Sequence, residues 1–146
     1  MLTTVDGNTI TANISYKLSD SAFIYPITPS TGGSERLELL NRKNKKNIFE
    51  EVPVVRQMQS ELGSIAACHG ASYGGGVPTT FTSSQGLLLM IPSLIKMVGE
   101  RKSCVVNVAA RSLATHTLSV FGDHSDIRQI INTGCVILSS ANASEC

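Results

Sequence analysis

Helix-like and strand-like segments alternate along the chain from Gly7 to Leu138, and few folds accommodate that order. Residues Gly7 to Leu18 read as a first helix, and Ser21 to Tyr25 (SAFIY) as a short buried strand that ends in the proline-punctuated turn YPITP. A second helix is expected from about Pro29 to Leu40: proline suits the first helical position, Thr28 can cap it, and Glu35 lies near the positive end. Gly32 and Gly33 weaken that start, each costing about 1 kcal/mol relative to alanine inside a helix. Pro53 to Val55 suggest a strand, a helix follows from about Arg56 to Ser72, and the run Gly74 to Gly76 ends it. TTFT at 79–82 is β-branched and strand-like, and Ser83 to Gly86 form the turn into an apolar helix, Leu87 to Glu100. Ser103 to Ala110 (SCVVNVAA) is the clearest buried strand, Asp126 to Asn132 a short helix, and Cys135 to Leu138 (CVIL) another strand.

Repeated strand-then-helix order predicts an α/β domain: a doubly wound, mostly parallel sheet with helices on both faces. At 146 residues, 42% of them hydrophobic, the chain can bury one sizeable core, and no repeat or linker divides it. Ligands of such sheets bind beyond the carboxyl ends of the strands. Three loops are therefore of interest, at 25–31, 83–86 and 111–126.

Composition excludes several classes. A net charge of +1 gives no footprint for nucleic acid or an anionic membrane, and the basic run Arg42 to Lys46 lies between predicted elements as a solvated loop. The apolar stretch Gly86 to Val98 holds Pro92 and Lys96 and falls short of the roughly 20 residues that span a bilayer. MLTTVDGNT shows no secretory pattern, so an intracellular, reducing compartment is expected. Cys68, Cys104, Cys135 and Cys146 are widely spaced, without a C-x-x-C pair, and read as buried or incidental thiols.

Glu61 is the most telling residue. Met58, Leu62, Ile65 and Cys68 recur at helical spacing and place it inside an apolar stripe, where a carboxylate needs a partner. It is either an edge glutamate paired with a basic side chain or a buried group with a task. Arg111 ends the strand VVNVAA, where it either faces solvent or offers a planar fork to an anion such as a substrate carboxylate. Thr28, between Pro26 and Pro29, can cap the next helix or face a ligand, and both prolines are possible cis sites. Asp123, His124 and Asp126 read as a turn and helix cap rather than a metal set, and no metal ligands are assigned. His69 and His116 stand apart from any nucleophile, SSQG could offer backbone N–H groups to an anion, and GGG at 74–76 lacks the lysine of a phosphate loop.

Taken together, DGNT (Asp6 to Thr9), YPITPS, KNIF (Lys46 to Phe49), MQSE (Met58 to Glu61), FTSSQGLLLMIP (Phe81 to Pro92), AAR (Ala109 to Arg111) and LSVFGDHSD (Leu118 to Asp126) resemble the amino-terminal, thiamine-diphosphate pyrimidine domain of pyruvate:ferredoxin (flavodoxin) oxidoreductases. The match covers nearly the whole chain in the family's order. It implies a homodimeric enzyme that decarboxylates pyruvate on thiamine diphosphate, passes electrons through iron–sulfur clusters to ferredoxin or flavodoxin, and forms acetyl-CoA from coenzyme A. By this resemblance Glu61 hydrogen-bonds the pyrimidine ring and favours its imino form, as both catalytic and cofactor-binding residue, while Thr28 and Arg111 hold pyruvate. A cytoplasmic location follows, with an organelle such as the hydrogenosome as the alternative.

The sequence departs from the family in places. PSTGGSE stands where the family commonly reads PSSTMGE, and Arg56-Gln57 precede MQSE where the family has Arg-Glu. The GDG motif that holds magnesium diphosphate is GDH here, and cluster ligands and the coenzyme A region are missing. Residues 1–146 are thus expected to be a truncated amino-terminal domain that is inactive alone. The rival readings are a non-catalytic product or association module, another 2-oxoacid oxidoreductase, or a sulfite reductase flavoprotein relative.

Overall fold

A computed structural model of the chain describes residues 4–117 and 119–146. Its order is α1 (Gly7–Leu18), β1 (Ser21–Ile24), α2 (Thr31–Arg42), β2 (Val54–Gln57), α3 (Glu61–Tyr73), β3 (Pro78–Thr82), α4 (Ser84–Gly99), β4 (Val105–Val108) and α5 (Ser125–Ile130), with a 3₁₀ turn at Ile131–Thr133. The strands form one parallel sheet in the order β2-β1-β3-β4.

Alternation along β1 makes the sheet double-sided. Ala22 and Ile24 enter a core with Ala12, Tyr16, Leu37, Val55 and Phe81, which α1 and α2 cover. Phe23 points the other way, into a core of Ile65, Cys68, Leu87, Met90, Leu94, Met97 and Ile130 under α3, α4 and α5. Each fully buried side chain such as Ile24, Leu37, Ile65 or Leu87 contributes about 1.5–3 kcal/mol relative to exposure.

The first helix begins at Gly7 as expected, because Asp6 Oδ1 accepts the Thr9 N–H at 2.7 Å. Elsewhere, caps and pairing move the boundaries. Thr28 does not cap α2: Pro29 and Ser30 stand between it and the helix, the Thr28–Pro29 bond is cis, and the Ser30 hydroxyl turns back to donate to Ile27 O. The helix expected from Arg56 begins five positions later, at Glu61. Arg56 and Gln57 extend β2 beside Phe23 and Ile24, and Ser60 caps α3 by accepting the Gly63 N–H at 3.0 Å. The SSQG segment is likewise the start of α4 rather than a turn before it.

Two expected strands fare differently. SCVVNVAA shortens to the four residues of β4, which lies at the sheet edge and is only half-buried. CVIL forms no strand; Val136 and Leu138 are 88% and 91% exposed. A parallel neighbour must come by a crossover that lays the strand against the edge, and here residues 134–140 stand off from β4 across a hollow of about 660 Å³.

Candidate active site

All three singled-out residues lie beyond the carboxyl ends of the strands, as the sheet's topology predicts. Glu61 opens α3 just after β2, Thr28 follows β1, and Arg111 follows β4. Met58 N–H donates to Ile24 O at 2.8 Å, which draws the loop carrying Glu61 onto the end of β1.

Glu61 is buried, with 9% of its surface exposed, but for a reason other than the predicted stripe. Met58 is not on the helix, and Leu62 is half exposed; only Ile65 and Cys68 face the core. The carboxylate is covered instead by the end of β3 and the first turn of α4. A Cβ on Gly86 would lie 2.7 Å from Glu61 Cγ, 2.9 Å from its Oε1 and 2.7 Å from Thr82 Oγ1, so glycine alone leaves room for this side chain. Among the described residues no ion pair reaches the Glu61 carboxylate, and Thr82 Oγ1 beside it is a buried hydroxyl without a partner. The basic partner expected of a structural glutamate is missing among those residues. At the first position of α3 the helix's partial positive charge favours the anion.

Arg111 is buried too, and its guanidinium Nη1 donates to Thr28 O at 2.7 Å. The structure therefore joins these two candidates, through the threonine's backbone rather than its hydroxyl. Arg111 Nε is buried with no partner. A planar donor with an unused N–H at the end of a strand suits a carboxylate.

Asp126, which the sequence offered only as a turn or capping residue, ties the loop carrying Arg111 to the start of α4. Fully buried, it accepts the Ser84 N–H at 2.9 Å and the Arg111 N–H at 3.1 Å through one oxygen, and the Ile127 N–H at 2.7 Å through the other. Ser84 is held at φ +49°, a left-handed conformation uncommon outside glycine. Around this point α4 grips the loop after β4. Ser83 Oγ donates to Ala109 O at 2.8 Å, Ser84 Oγ to Ser112 O at 3.1 Å, and Gln85 Nε2 to Ala114 O at 2.8 Å. The SSQG amides are thus not free for an anion: Ser84 N–H serves Asp126, and Gly86 N–H serves Ser83 O. The sequence signal for all this was the polar run SSQ two residues before an apolar helix, which marks a helix start but not the partner of its side chains.

The remaining candidates are elsewhere. Asp123 accepts from Ser125, whose hydroxyl and backbone N–H hold its carboxyl below the ordinary value. His116 is exposed beside Thr115, and Leu118 lies outside the described residues. His69 pairs with Glu100 at the opposite pole of the domain, where α3 and α4 end.

A parallel sheet wound on both sides, with a buried carboxylate and a buried guanidinium beyond its carboxyl edge, defines an α/β domain of the doubly wound class. The chain belongs to the family described as pyruvate flavodoxin/ferredoxin oxidoreductase, thiamine diP-binding, whose profile matches residues 13–146. It is 52% identical over 142 residues to a pyruvate-flavodoxin oxidoreductase of Nostoc sp. and 49% identical over 142 residues to a probable pyruvate-flavodoxin oxidoreductase of Escherichia coli. Each match covers 97% of this chain and 12% of the relative, so the chain spans about an eighth of their length. Over 136 residues it is 50% identical to a mitochondrial pyruvate dehydrogenase [NADP(+)] of Euglena gracilis, covering 93% of this chain and 8% of that protein. A solved 2-oxoglutarate:ferredoxin oxidoreductase from Magnetococcus marinus, with 2-oxoglutarate, coenzyme A and succinyl-CoA bound, superposes with a TM-score of 0.67 at 27% identity. That match covers 78% of this chain and 19% of the other. No helix among the described residues is long and apolar enough to cross a membrane.

Proposed function

We propose that this chain forms the pyrimidine and substrate side of a thiamine-diphosphate site in a pyruvate:ferredoxin (flavodoxin) oxidoreductase. Such an enzyme converts pyruvate and coenzyme A to acetyl-CoA and CO2, with the electrons passed to ferredoxin or flavodoxin. The observation that carries the reading is the buried carboxylate of Glu61, which forms no ion pair among the described residues although such a group is costly to bury.

The residues present fit one half of the cofactor. Glu61 offers an acceptor to a proton-bearing ring nitrogen, and Gly86 leaves the space that its carboxylate occupies. Bound thiamine diphosphate supplies the electron sink for decarboxylation. Arg111 binds the substrate carboxylate with its free Nε–H, and Thr28, whose carbonyl anchors the guanidinium, keeps its hydroxyl for the same substrate. Magnesium, the diphosphate and the iron–sulfur clusters belong to other parts of the enzyme, since this sequence carries neither a GDG motif nor clustered cysteines. The working unit is a dimer in this reading, and the chain by itself does not turn over.

The test replaces the matching 142 residues of the Nostoc relative with this chain and follows pyruvate-dependent flavodoxin reduction. The hybrid is expected to turn over, and Glu61→Gln in it to lose about a hundredfold or more in kcat. Near-normal turnover of that variant would remove Glu61 from the mechanism. Turnover by the 146-residue chain alone would contradict the division of labour proposed.

A second reading, a 2-oxoacid other than pyruvate, draws on the similarity to the 2-oxoglutarate:ferredoxin oxidoreductase. Arg111 would recognise the carboxylate common to all 2-oxoacids. Comparing kcat/KM for pyruvate and 2-oxoglutarate in the hybrid decides between them.

A further inference from the structure

The backbone of Arg111 is held by a carboxylate, that of Asp126. Asp126 is fully buried, and among the described residues no ion pair reaches it. Its two oxygens are spent on three backbone N–H groups from two places far apart in sequence: Ser84, at the start of α4, and Arg111 and Ile127, at either side of the loop after β4. A buried carboxyl group whose partners among the described residues are all peptide N–H groups fixes geometry, because each donor must point at it.

The neighbouring bonds converge on the same purpose. Ser83, Ser84 and Gln85 hold the carbonyls of Ala109, Ser112 and Ala114, the residues flanking Arg111. Leu113 N–H donates to Ser125 Oγ at 3.0 Å, beside Asp126 in sequence. Arg111 also forms an antiparallel bridge with Gly122, closing the loop on itself. From this held backbone the arginine's side chain reaches across the strand ends to Thr28 O.

We propose that Asp126 is a positioning residue for Arg111: its carboxylate clamps the Arg111 amide to the left-handed turn at Ser84, and so sets the guanidinium toward the substrate carboxylate. The substrate half of this statement rests on the function proposed above; the clamp does not.

The experiment uses the ¹⁵N-labelled 146-residue chain. Arg111 Nε–H gives a side-chain NMR signal, and its heteronuclear NOE reports whether the guanidinium is fixed. In the wild-type chain the value is expected to approach that of the backbone. In Asp126→Ala it should collapse, with the remaining backbone amide pattern retained. Asp126→Asn is the second variant, in case alanine prevents folding. Whichever way that amide turns, its NH2 meets a backbone donor, so the clamp is weakened at the same shape. Pyruvate is then titrated, and its dissociation constant is expected to rise about tenfold or more in either variant, the effect of mis-setting one charge-assisted hydrogen bond.

An Arg111 Nε–H as rigid in a folded Asp126 variant as in the wild type overturns the proposal. Increased mobility with unchanged pyruvate affinity also overturns it, since the clamp then sets nothing for the substrate. Arg111→Lys separates the two layers: if it binds pyruvate like the wild type, the substrate reading of Arg111 falls, while the clamp is judged on the Nε–H signal alone.

Discussion

At Glu61 two effects oppose each other. The amino-terminal end of α3 favours its negative charge by about 0.3–1 kcal/mol. Burial beside a Thr82 hydroxyl that, like the carboxylate, finds no partner among the described residues costs about 1–3 kcal/mol even on conservative scales. The second effect is larger, so Glu61→Gln should stabilise the chain by about 1 kcal/mol, raising the calorimetric midpoint by about 2–4 °C for a domain of this size. A lowered midpoint would mean that the carboxylate has a partner. Gly33→Ala should act the other way. Its Cβ would collide with Phe81 Cε1, forcing the ring to move, and we expect a loss of about 1–3 kcal/mol in urea unfolding. The sequence marked Gly33 only as a weak spot in a helix; its use, seating an aromatic ring from β3, depends on a contact that no local pattern encodes. Glu61 itself was legible as a buried acid, although the stripe that suggested it dissolved once Ser60 proved to be the cap.

Between elements, α3 and α4 are tied at their far ends by a charged group. Glu100 accepts from Lys96 at 2.7 Å and pairs with His69 at 2.6 Å; these two bonds, aided by Tyr73, hold its carboxyl at about 2, against an ordinary 4.5. Protonating Glu100 is thus harder in the folded protein than in the unfolded chain. Its contribution to stability is complete above about pH 4.5 and is lost as the pH falls toward about 2. Urea unfolding of the wild type and Glu100→Gln across that range should show a gap above pH 4.5 that closes on acidification; a gap that widens in acid would assign the stabilisation to another group. The first helix was legible, with its local cap at Asp6, whereas the third was misplaced by several residues because pairing in the sheet claimed Arg56 and Gln57. Neither His69 nor Glu100 announced the other, since the pairing spans 31 positions.

For the whole molecule, the parallel order was readable from the alternation of elements, whereas the fate of the last segment was not. Nothing in CVIL distinguishes a strand that joins a sheet from one left beside it; that depends on what lies against β4. Two hollows, of about 660 and 730 Å³, flank β4, lined in part by Val136 and Leu138, and neither is lined by Glu61, Thr28 or Arg111. An unpaired edge next to exposed apolar side chains favours association. Replacing Val136 and Leu138 together by lysine should leave stability within about 0.5 kcal/mol per site and reduce concentration-dependent light scattering. Unchanged scattering would place the sticky surface elsewhere. The long reach of Asp126 has a consequence in time. A ribosome delivers Ser84 and Arg111 first, and neither can donate to the Asp126 carboxylate until residue 126 has also emerged, on the order of a second after Arg111 at about 5–20 residues per second. This carboxylate's tie between α4 and the loop after β4 therefore closes late, after every strand of the sheet has been made.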